Sequence, residues 1–188
     1  MKKYLVLGAA LSAMSFGSAY AGELTVGIAQ EGFAYDGSGV DNISVSTSGL
    51  VIHGDTNLGS SNFVIGAETF ISMQGDADFD GLDGTWDADL WTFKTTIGYD
   101  FKLLEDKLKL TPVIGYQLGN GKIESATYDI DGFIGGLRAD YAIDEHLSIN
   151  AGLLVGMSTV DFDDVNALDS DSYDAVSASL SFGVGYRF

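Results

Sequence analysis

The end of the chain alternates strictly between apolar and other side chains, in the stretch "DAVSASLSFGVGYRF" from Asp174 to Phe188. A period of two residues places alternate side chains on opposite faces of a β-strand. The apolar face carries Val176, Ala178, Leu180, Phe182, Val184, Tyr186 and Phe188. The opposite face carries Ala175, three serines, two glycines and Arg187. The pattern predicts a strand with one apolar side and one side of small and polar residues.

The same period recurs along the rest of the chain, broken by polar clusters. The predicted strands are roughly 23–35, 43–53, 62–74, 90–101, 108–118, 127–141, 147–158 and 175–188. Their number is even, and each strand is longer than the usual ~5–6 residues of strands in globular sheets. The pattern therefore predicts an all-β chain made of eight long strands.

The connections between these strands alternate in kind. Three are compact: "GDTNLGSS", "KLLEDK" and "AIDEH". The other four are mostly rich in Asp or Gly: "DGSGVDN", "GDADFDGLDGTWD", "GNGKIES" and "DFDDVNALDSDS". Transmembrane barrels have short turns at the periplasmic end and longer loops outside. Eight strands that start and finish in the periplasm need three inner turns and four outer loops, and the sequence supplies them in that order.

The size of the apolar side chains indicates which face points outward. An eight-stranded barrel has an interior just wide enough for side chains. Small polar residues would fill that space, whereas the large apolar set would overfill it. We therefore expect the apolar face to contact lipid, with every backbone group paired in a closed sheet. The predicted fold is an eight-stranded antiparallel up-and-down transmembrane β-barrel.

The first 21 residues read differently from the rest. Lys2 and Lys3 precede an apolar stretch that ends in "AYA", Ala19 to Ala21. This arrangement is typical of a secretory signal peptide that is cut after a small residue. The expected organisation is a signal peptide over residues 1–21 and a barrel domain over residues 22–188.

The charge and the cysteine content exclude some classes of partner and site. The formal net charge is −18, and no basic patch is visible, so a nucleic-acid partner is not expected. The chain has no cysteine, which excludes disulfides and thiolate metal sites.

With the ending "GVGYRF", Gly183 to Phe188, the chain resembles small bacterial outer-membrane β-barrels of the OmpA, OmpX and opacity type. The resemblance implies residence in the outer membrane, contact with its lipid and lipopolysaccharide, and insertion by the outer-membrane assembly machinery. In such proteins, a terminal aromatic residue preceded by alternate apolar residues is the assembly signal. The residues that match this signal are Leu180, Phe182, Val184, Tyr186 and Phe188.

The predicted inner face carries a small number of charges. They are Glu31, Glu68, Lys94, Asp100, Lys109, Arg138, Asp140 and Arg187. A hairpin that is symmetric about Gly81 places Glu68 opposite Lys94, with Glu31 and Arg138 as neighbours. Because buried charges need partners, these four residues are expected to form ion pairs that plug the barrel. The alternative is a narrow gated pore through the same charges.

The second outer loop contains the spacing of a calcium-binding loop. Asp76, Asp78 and Asp80 precede Gly81, and Asp87 occupies the twelfth position. Calcium loops place oxygen ligands at positions 1, 3, 5 and 12 and a glycine at position 6, although they usually end in Glu between helices. No cofactor is expected in the barrel, and calcium or magnesium is the ligand that these acidic outer loops would take.

The sequence leaves more than one function open. We expect a non-enzymatic structural or surface-interaction protein that presents acidic extracellular loops to a host or surface ligand. The first alternative is a porin-like channel for small solutes or ions. The second is a lipid A-modifying enzyme, which is disfavoured because both His53 and His146 map to the periplasmic rim, where we expect them to be interfacial or turn residues. An enzyme acting on the outer leaflet needs its base at the other end.

Overall fold

The strands of the chain close into one antiparallel barrel. The computed structural model describes residues 22–35, 43–79, 84–124, 126–163 and 172–188. Each strand pairs with its neighbour in sequence, and the first strand also pairs with the last, so the sheet has no free edge. Closure matters because an unpaired edge would leave backbone N–H and C=O groups unsatisfied in hydrocarbon.

Nine strand segments make up the eight barrel strands. They are β1 (Gly22–Tyr35), β2 (Ile43–Asn57), β3 (Phe63–Phe79), β4 (Thr85–Tyr99), β5 (Phe101–Leu103), β6 (Leu108–Ile123), β7 (Ala126–Ala142), β8 (Leu147–Asp163) and β9 (Ser172–Arg187). Both β4 and β5 pair with β6, and only Asp100 separates them, so together they form one barrel strand. The predicted eight-stranded barrel is confirmed.

The described residues include no helix that is both long and apolar enough to cross a membrane. The predicted signal peptide lies outside the described residues and stays a prediction.

The strands extend further at the loop end of the barrel than the sequence predicts. Segments assigned to outer loops continue the ladders: β3 runs to Phe79, β4 begins at Thr85, and β6 and β7 are joined by residues 124–125. Polar side chains do not end a strand whose backbone groups still find partners in the neighbouring strand. The predicted boundaries were therefore wrong at this end, and the second and third outer links are mostly strand.

The three compact links form tight turns at the other end of the barrel. In the last of them, the Asp144 carboxylate accepts the backbone N–H groups of His146 and Leu147, each at 2.8 Å. Those hydrogen bonds stabilise the charged form and hold the pKa of Asp144 below its usual range. In the middle turn, Leu104, Glu105 and Asp106 all adopt positive φ angles of 51°, 57° and 66°.

The outer face near these turns is apolar. On β9, Leu180, Phe182 and Val184 keep 44%, 53% and 58% of their surface exposed on the outside of the barrel. The alternate residues of β9 point inward, and Ser177 and Ser179 among them are buried. Large side chains thus point away from the barrel axis, as the sequence predicts, and form a band typical of lipid contact.

The pattern reverses along each long strand toward the loop end, and β7 shows the reversal clearly. From the middle of β7 toward the turn, Phe133 points outward with 74% exposure, while Arg138 points inward. Near the loops, Tyr128 and Ile130 point inward with 1% and 2% exposure, while Asp129 points outward. The loop-end part of the barrel therefore has a polar outside and an apolar inside, like a water-soluble β-barrel. We call this part the collar.

The collar's outer surface is acidic. Its outward aspartates are Asp76, Asp78, Asp87, Asp89, Asp129, Asp131, Asp161 and Asp174. Its inner surface is lined by a buried cluster that includes Phe33, Val45, Leu90, Tyr128, Ile130 and Val160. The expectation that small polar residues fill the whole interior was therefore correct only near the turns. Near the loops, the polar outer surface is typical of a wall in contact with water rather than hydrocarbon, and in water burying large apolar residues inside is favourable.

Candidate functional site in the barrel interior

Charged side chains from four strands meet in the middle of the barrel. The Lys94 ammonium contacts the Glu31 carboxylate and lies 3.0 Å from Oε1 of Glu68. The Arg138 guanidinium lies 3.0 Å from Oε2 of the same Glu68. The structure thus brings together all four residues of the proposed plug in one chain of alternating charge: Glu31, Lys94, Glu68 and Arg138.

The strand register creates this cluster. Glu68 on β3 lies directly opposite Lys94 on β4, as a hairpin symmetric about Gly81 requires. Glu31 reaches the same place from β1, and Arg138 reaches it from β7 across the barrel. The link between β1 and β4 is therefore made by side chains through the interior, since these strands are not neighbours in the sheet.

Burial makes the pairing necessary. Lys94 is 1% exposed, and both glutamates are also buried. Moving a single charge out of water costs several kcal/mol unless an opposite charge and hydrogen bonds replace the solvent. Thr92 donates to Oε2 of Glu31 at 2.8 Å, and Ser179 donates to Oε1 at 3.1 Å. The cluster is thus fully hydrogen-bonded on the Glu31 side.

A neutral polar set fills the rest of this level. The Gln117 amide donates to the hydroxyl of Ser158 at 2.7 Å and to that of Ser177 at 2.8 Å. These three residues come from β6, β8 and β9, so they occupy the side of the interior opposite β2 and β3. With the ion pairs, they fill this level of the described interior with polar side chains.

His53 was placed incorrectly from the sequence. It is an interior residue with 8% exposure, not an interfacial one. Its ring contacts the Arg138 guanidinium, and its Nε2 lies 3.3 Å from Oδ2 of Asp55. The sequence did indicate this position, because His53 falls on the same alternate, inward-facing positions of β2 as Val45, Thr47 and Val51.

A second polar network lies at the turn end of the interior. Glu23 accepts hydrogen bonds from Arg187 Nε at 2.8 Å and from Asn150 Nδ2 at 2.5 Å. The Lys109 ammonium lies 3.6 Å from Glu23 and 3.9 Å from Asp140. Sequence reasoning placed Lys109, Asp140 and Arg187 on the inner face but missed Glu23, which stands at the start of the first strand.

Two small cavities lie beside these groups in the described part of the interior. One of about 10 Å³ is lined by polar Glu31 and Lys94 on one side and by apolar Phe33 and Leu90 on the other. The second, of about 20 Å³, lies beside His53, Glu68 and Arg138. A cavity needs at least ~10–15 Å³ to hold a single water molecule, so neither is a conduit for solutes.

Aromatic side chains fill the interior of the collar. Tyr128 packs edge-on against Phe33 with ring centroids 5.2 Å apart, and its hydroxyl donates to the backbone carbonyl of Asp89 at 2.9 Å. Tyr35 stacks on Tyr173 at 4.9 Å and packs against Phe162 at 6.0 Å. This layer occupies the loop end of the described interior. The sequence analysis missed this layer because it did not extend the two-residue alternation into the segments that it assigned to loops.

The predicted calcium ligands lie on strands in their described part. Asp76 and Asp78 belong to β3 and Asp87 to β4, whereas Asp80 lies outside the described residues. Asp76 and Asp87 are direct cross-strand partners. The described residues contain no group of three or more acidic or histidine side chains arranged to hold a metal ion. The calcium site stays a prediction.

The assembly-signal residues share one surface. Leu180, Phe182, Val184 and Tyr186 point outward from β9, and they and the following Phe188 are all exposed. The His146 ring stacks on Tyr186 with centroids 5.6 Å apart, which places this histidine in the turn beside the end of β9. Neither histidine lies near the collar, where a base acting on the outer leaflet would be needed.

Comparison with known proteins agrees with this architecture. The family model for the outer membrane protein beta-barrel domain matches residues 4–188. No curated protein sequence matches the chain.

Solved structures share the fold at low sequence identity. OprG from Pseudomonas aeruginosa is 16% identical, with 90% of this chain and 96% of that chain covered and a TM-score of 0.64. Outer membrane protein W from Escherichia coli is 18% identical over 90% and 98% of the two chains, with a TM-score of 0.52. Ail, the attachment invasion locus protein of Yersinia pestis, is 16% identical over 90% and 99%, also with a TM-score of 0.52. The chain belongs to the outer membrane protein β-barrel family and lies in the bacterial outer membrane.

Proposed function

We propose that this barrel is a non-enzymatic structural and surface-interaction protein that presents an acidic extracellular collar. The observation that carries the proposal is the filled interior. Ion pairs, a neutral polar set and an aromatic layer occupy successive levels of the described barrel. Because side chains occupy the described interior, the outside of the collar is the surface through which we expect the protein to meet other molecules.

The collar is suited to contact because its charges stand on strands. Rigid scaffolds that carry variable polar surfaces are a common way to position binding residues. The described collar carries many outward aspartates, and Lys122 on β6 is its outward cation. The ligands that this surface favours are cationic: a basic host or cell-surface molecule, or divalent ions that bridge the collar to anionic lipopolysaccharide.

A binding assay tests the proposal. The refolded protein in lipid vesicles should bind a cationic probe such as polylysine, and binding should weaken as salt screens the charges. A variant with Asp129→Asn and Asp161→Asn should bind less, while Asp100→Asn, which changes an interior carboxylate, should bind as the wild type does. Equal binding by all three proteins would overturn the proposal.

Calcium is the metal that we propose for Asp76, Asp78, Asp80 and Asp87. Two of these carboxylates face each other across the β3–β4 pair, where like charges destabilise unless a cation lies between them. Isothermal titration should detect calcium-specific heat that Asp87→Asn reduces. The absence of such heat, together with loop proteolysis that calcium does not change, would remove the site without affecting the binding role of the collar.

A channel for small solutes or ions is the second candidate. The observation in its favour is that side chains alone close the interior, and side chains can move. Planar-bilayer recordings separate the two functions. The scaffold proposal expects no stable conductance steps from the pure refolded protein, and regular steps would favour the channel.

A lipid A-modifying enzyme is the third candidate and the least supported. His53 is enclosed by Arg138 and Asp55, and His146 lies in a turn at the opposite end from the collar. Mass spectrometry of lipid A from cells with and without the protein should show no new species.

A further inference from the structure

The outer apolar band is short on the first hairpin of the barrel. On β9 and at Phe188, the residue that follows it, seven successive outward positions from Val176 onward are apolar. On β1 the outward apolar run ends at Ile28, because Gln30 follows it. The register places Gln30 directly opposite Leu180, well inside the apolar run of β9. On β2, the outward apolar residues are Leu50 and Ile52.

Polar side chains therefore stand at the depth of the lipid band on this hairpin. Gln30 and Ser48 are cross-strand partners, and both are exposed on the outside. The Gln30 amide uses one of its donors on the Ser46 hydroxyl at 3.1 Å. An amide has two donors and a carbonyl acceptor, and polar groups without partners are costly in hydrocarbon. This face is better matched to another protein surface than to lipid tails.

The distribution of outward charges favours this face for contact with a second copy of the chain. The outward positions described on β1 and β2 carry no charged side chain. Outward aspartates occur on β3, β4, β7, β8 and β9. Two copies of a chain with a formal net charge of −18 repel each other through the aspartate-bearing strands. The described outer face of the β1–β2 hairpin carries no carboxylate of its own, and the nearest outward carboxylates are Asp76 and Asp78 on β3, the cross-strand partners of Ser46 and Ser44.

We propose that the outer face of the β1–β2 hairpin binds a second copy of this chain in the membrane. A two-fold axis would bring the Gln30–Ser46 pair of one copy against the same pair of the other, as symmetric dimers require. The free amide groups then find hydrogen-bond partners across the interface, in the way that polar side chains join transmembrane segments. The dimer is independent of what the collar binds and of whether the barrel conducts.

Cysteine cross-linking in lipid vesicles tests the dimer, because the chain has no native cysteine. Ser48→Cys places one thiol on the proposed interface. Leu118→Cys is the matched control, since Leu118 is exposed on the outside of β6, on the far side of the barrel. Oxidation should give several-fold more disulfide-linked dimer for Ser48→Cys than for Leu118→Cys. Equal cross-linking, or none in either variant, would overturn the proposal.

A charge placed on the face provides a second test. Energy transfer between donor- and acceptor-labelled barrels in vesicles should be clear for the wild type and should fall to the background of random mixing for Gln30→Glu. Heat-modifiable gel migration checks that the variant is still folded. Unchanged energy transfer in the folded variant would overturn the proposal. A wild-type barrel that is monomeric, with its polar face accommodated by local thinning of the bilayer, would also overturn it.

Discussion

Lys94 holds two carboxylates together at the centre of the barrel. Its ammonium lies between Glu31 and Glu68, and it is almost completely buried. Lys94→Met keeps an apolar stem of similar length but leaves Glu31 without its ionic partner. Breaking a buried pair from one side typically costs ~3–5 kcal/mol. We expect a loss of that size in the free energy of unfolding, measured by urea titration in lipid vesicles.

Lys102→Met is the matched control for this change. Lys102 is exposed on β5, and substitutions at such positions usually change stability by less than ~0.5 kcal/mol. The double variant Glu31→Gln with Lys94→Met should recover part of the loss, because it removes the uncompensated charge. If Lys94→Met were no more harmful than Lys102→Met, the ion pairs would not stabilise the barrel.

The two ends of each strand differ in how far the sequence predicts them. Strict alternation with large outward residues predicts the membrane-spanning half of β8 and β9, and the hairpin symmetry predicts the contact between Glu68 and Lys94. The loop-end halves were assigned to loops, because Asp-rich segments look like loops when apolar alternation is the only criterion. The reversed phase on β7, with Tyr128 and Ile130 between aspartates, is itself an alternation. This alternation is recognised as a strand only if the outside of the barrel is taken to face lipid at one end of the strand and water at the other.

Interior contacts between distant strands were harder to predict. Pairing within a hairpin follows from the turn, but the contact of Arg138 with His53 depends on the curvature of the whole barrel. Curvature in turn depends on inward glycines such as Gly27, where a Cβ would lie 2.1 Å from the carbonyl oxygen of Phe182. No pattern in one strand encodes the contact with Arg138. The inward position of His53 itself does follow from the alternation of β2, and it was missed because that alternation was not extended to the end of the strand.

The last strand should carry information for assembly that its packing does not require. Phe188 and Phe133 both point outward and are 53% and 74% exposed, so truncating either removes lipid contact rather than core packing. We expect Phe188→Ala to reduce strongly the fraction of folded barrel in cells, while Phe133→Ala reduces it little. Heat-modifiable migration of the outer-membrane fraction measures both.

Refolding in detergent distinguishes an assembly signal from simple instability. Purified Phe188→Ala should refold as well as Phe133→Ala does, because no machinery is involved. A Phe188→Ala protein that fails to refold in detergent, or that assembles normally in cells, would contradict a role in the assembly signal.

Like charges across the collar strands should make its stability depend on salt. Asp76 faces Asp87, and Asp129 faces Asp161. Opposed like charges on neighbouring strands destabilise by roughly 0.2–1 kcal/mol. We expect Asp87→Asn to raise the free energy of unfolding by about that amount at low salt without divalent ions. The gain should vanish near 1 M salt, where the Debye length is ~3 Å. A gain that salt does not change would show that repulsion is not the cause.

The barrel as a whole should have one orientation in the membrane. The described turns at residues 58–62, 104–107 and 143–146 are short, and Gly22 and Phe188 lie at the same end as these turns. Short connections face the periplasm in outer-membrane barrels, so the acidic collar should face outward. Because the chain has no cysteine, a single introduced thiol reports its side of the membrane. On intact cells, a membrane-impermeant maleimide should label Asp129→Cys in the collar and leave Leu104→Cys unlabelled until the cells are permeabilised. Both residues are exposed, so accessibility within the protein cannot account for the difference. Labelling of Leu104→Cys first would reverse the barrel and move the acidic surface into the periplasm, where it could not meet ligands outside the cell.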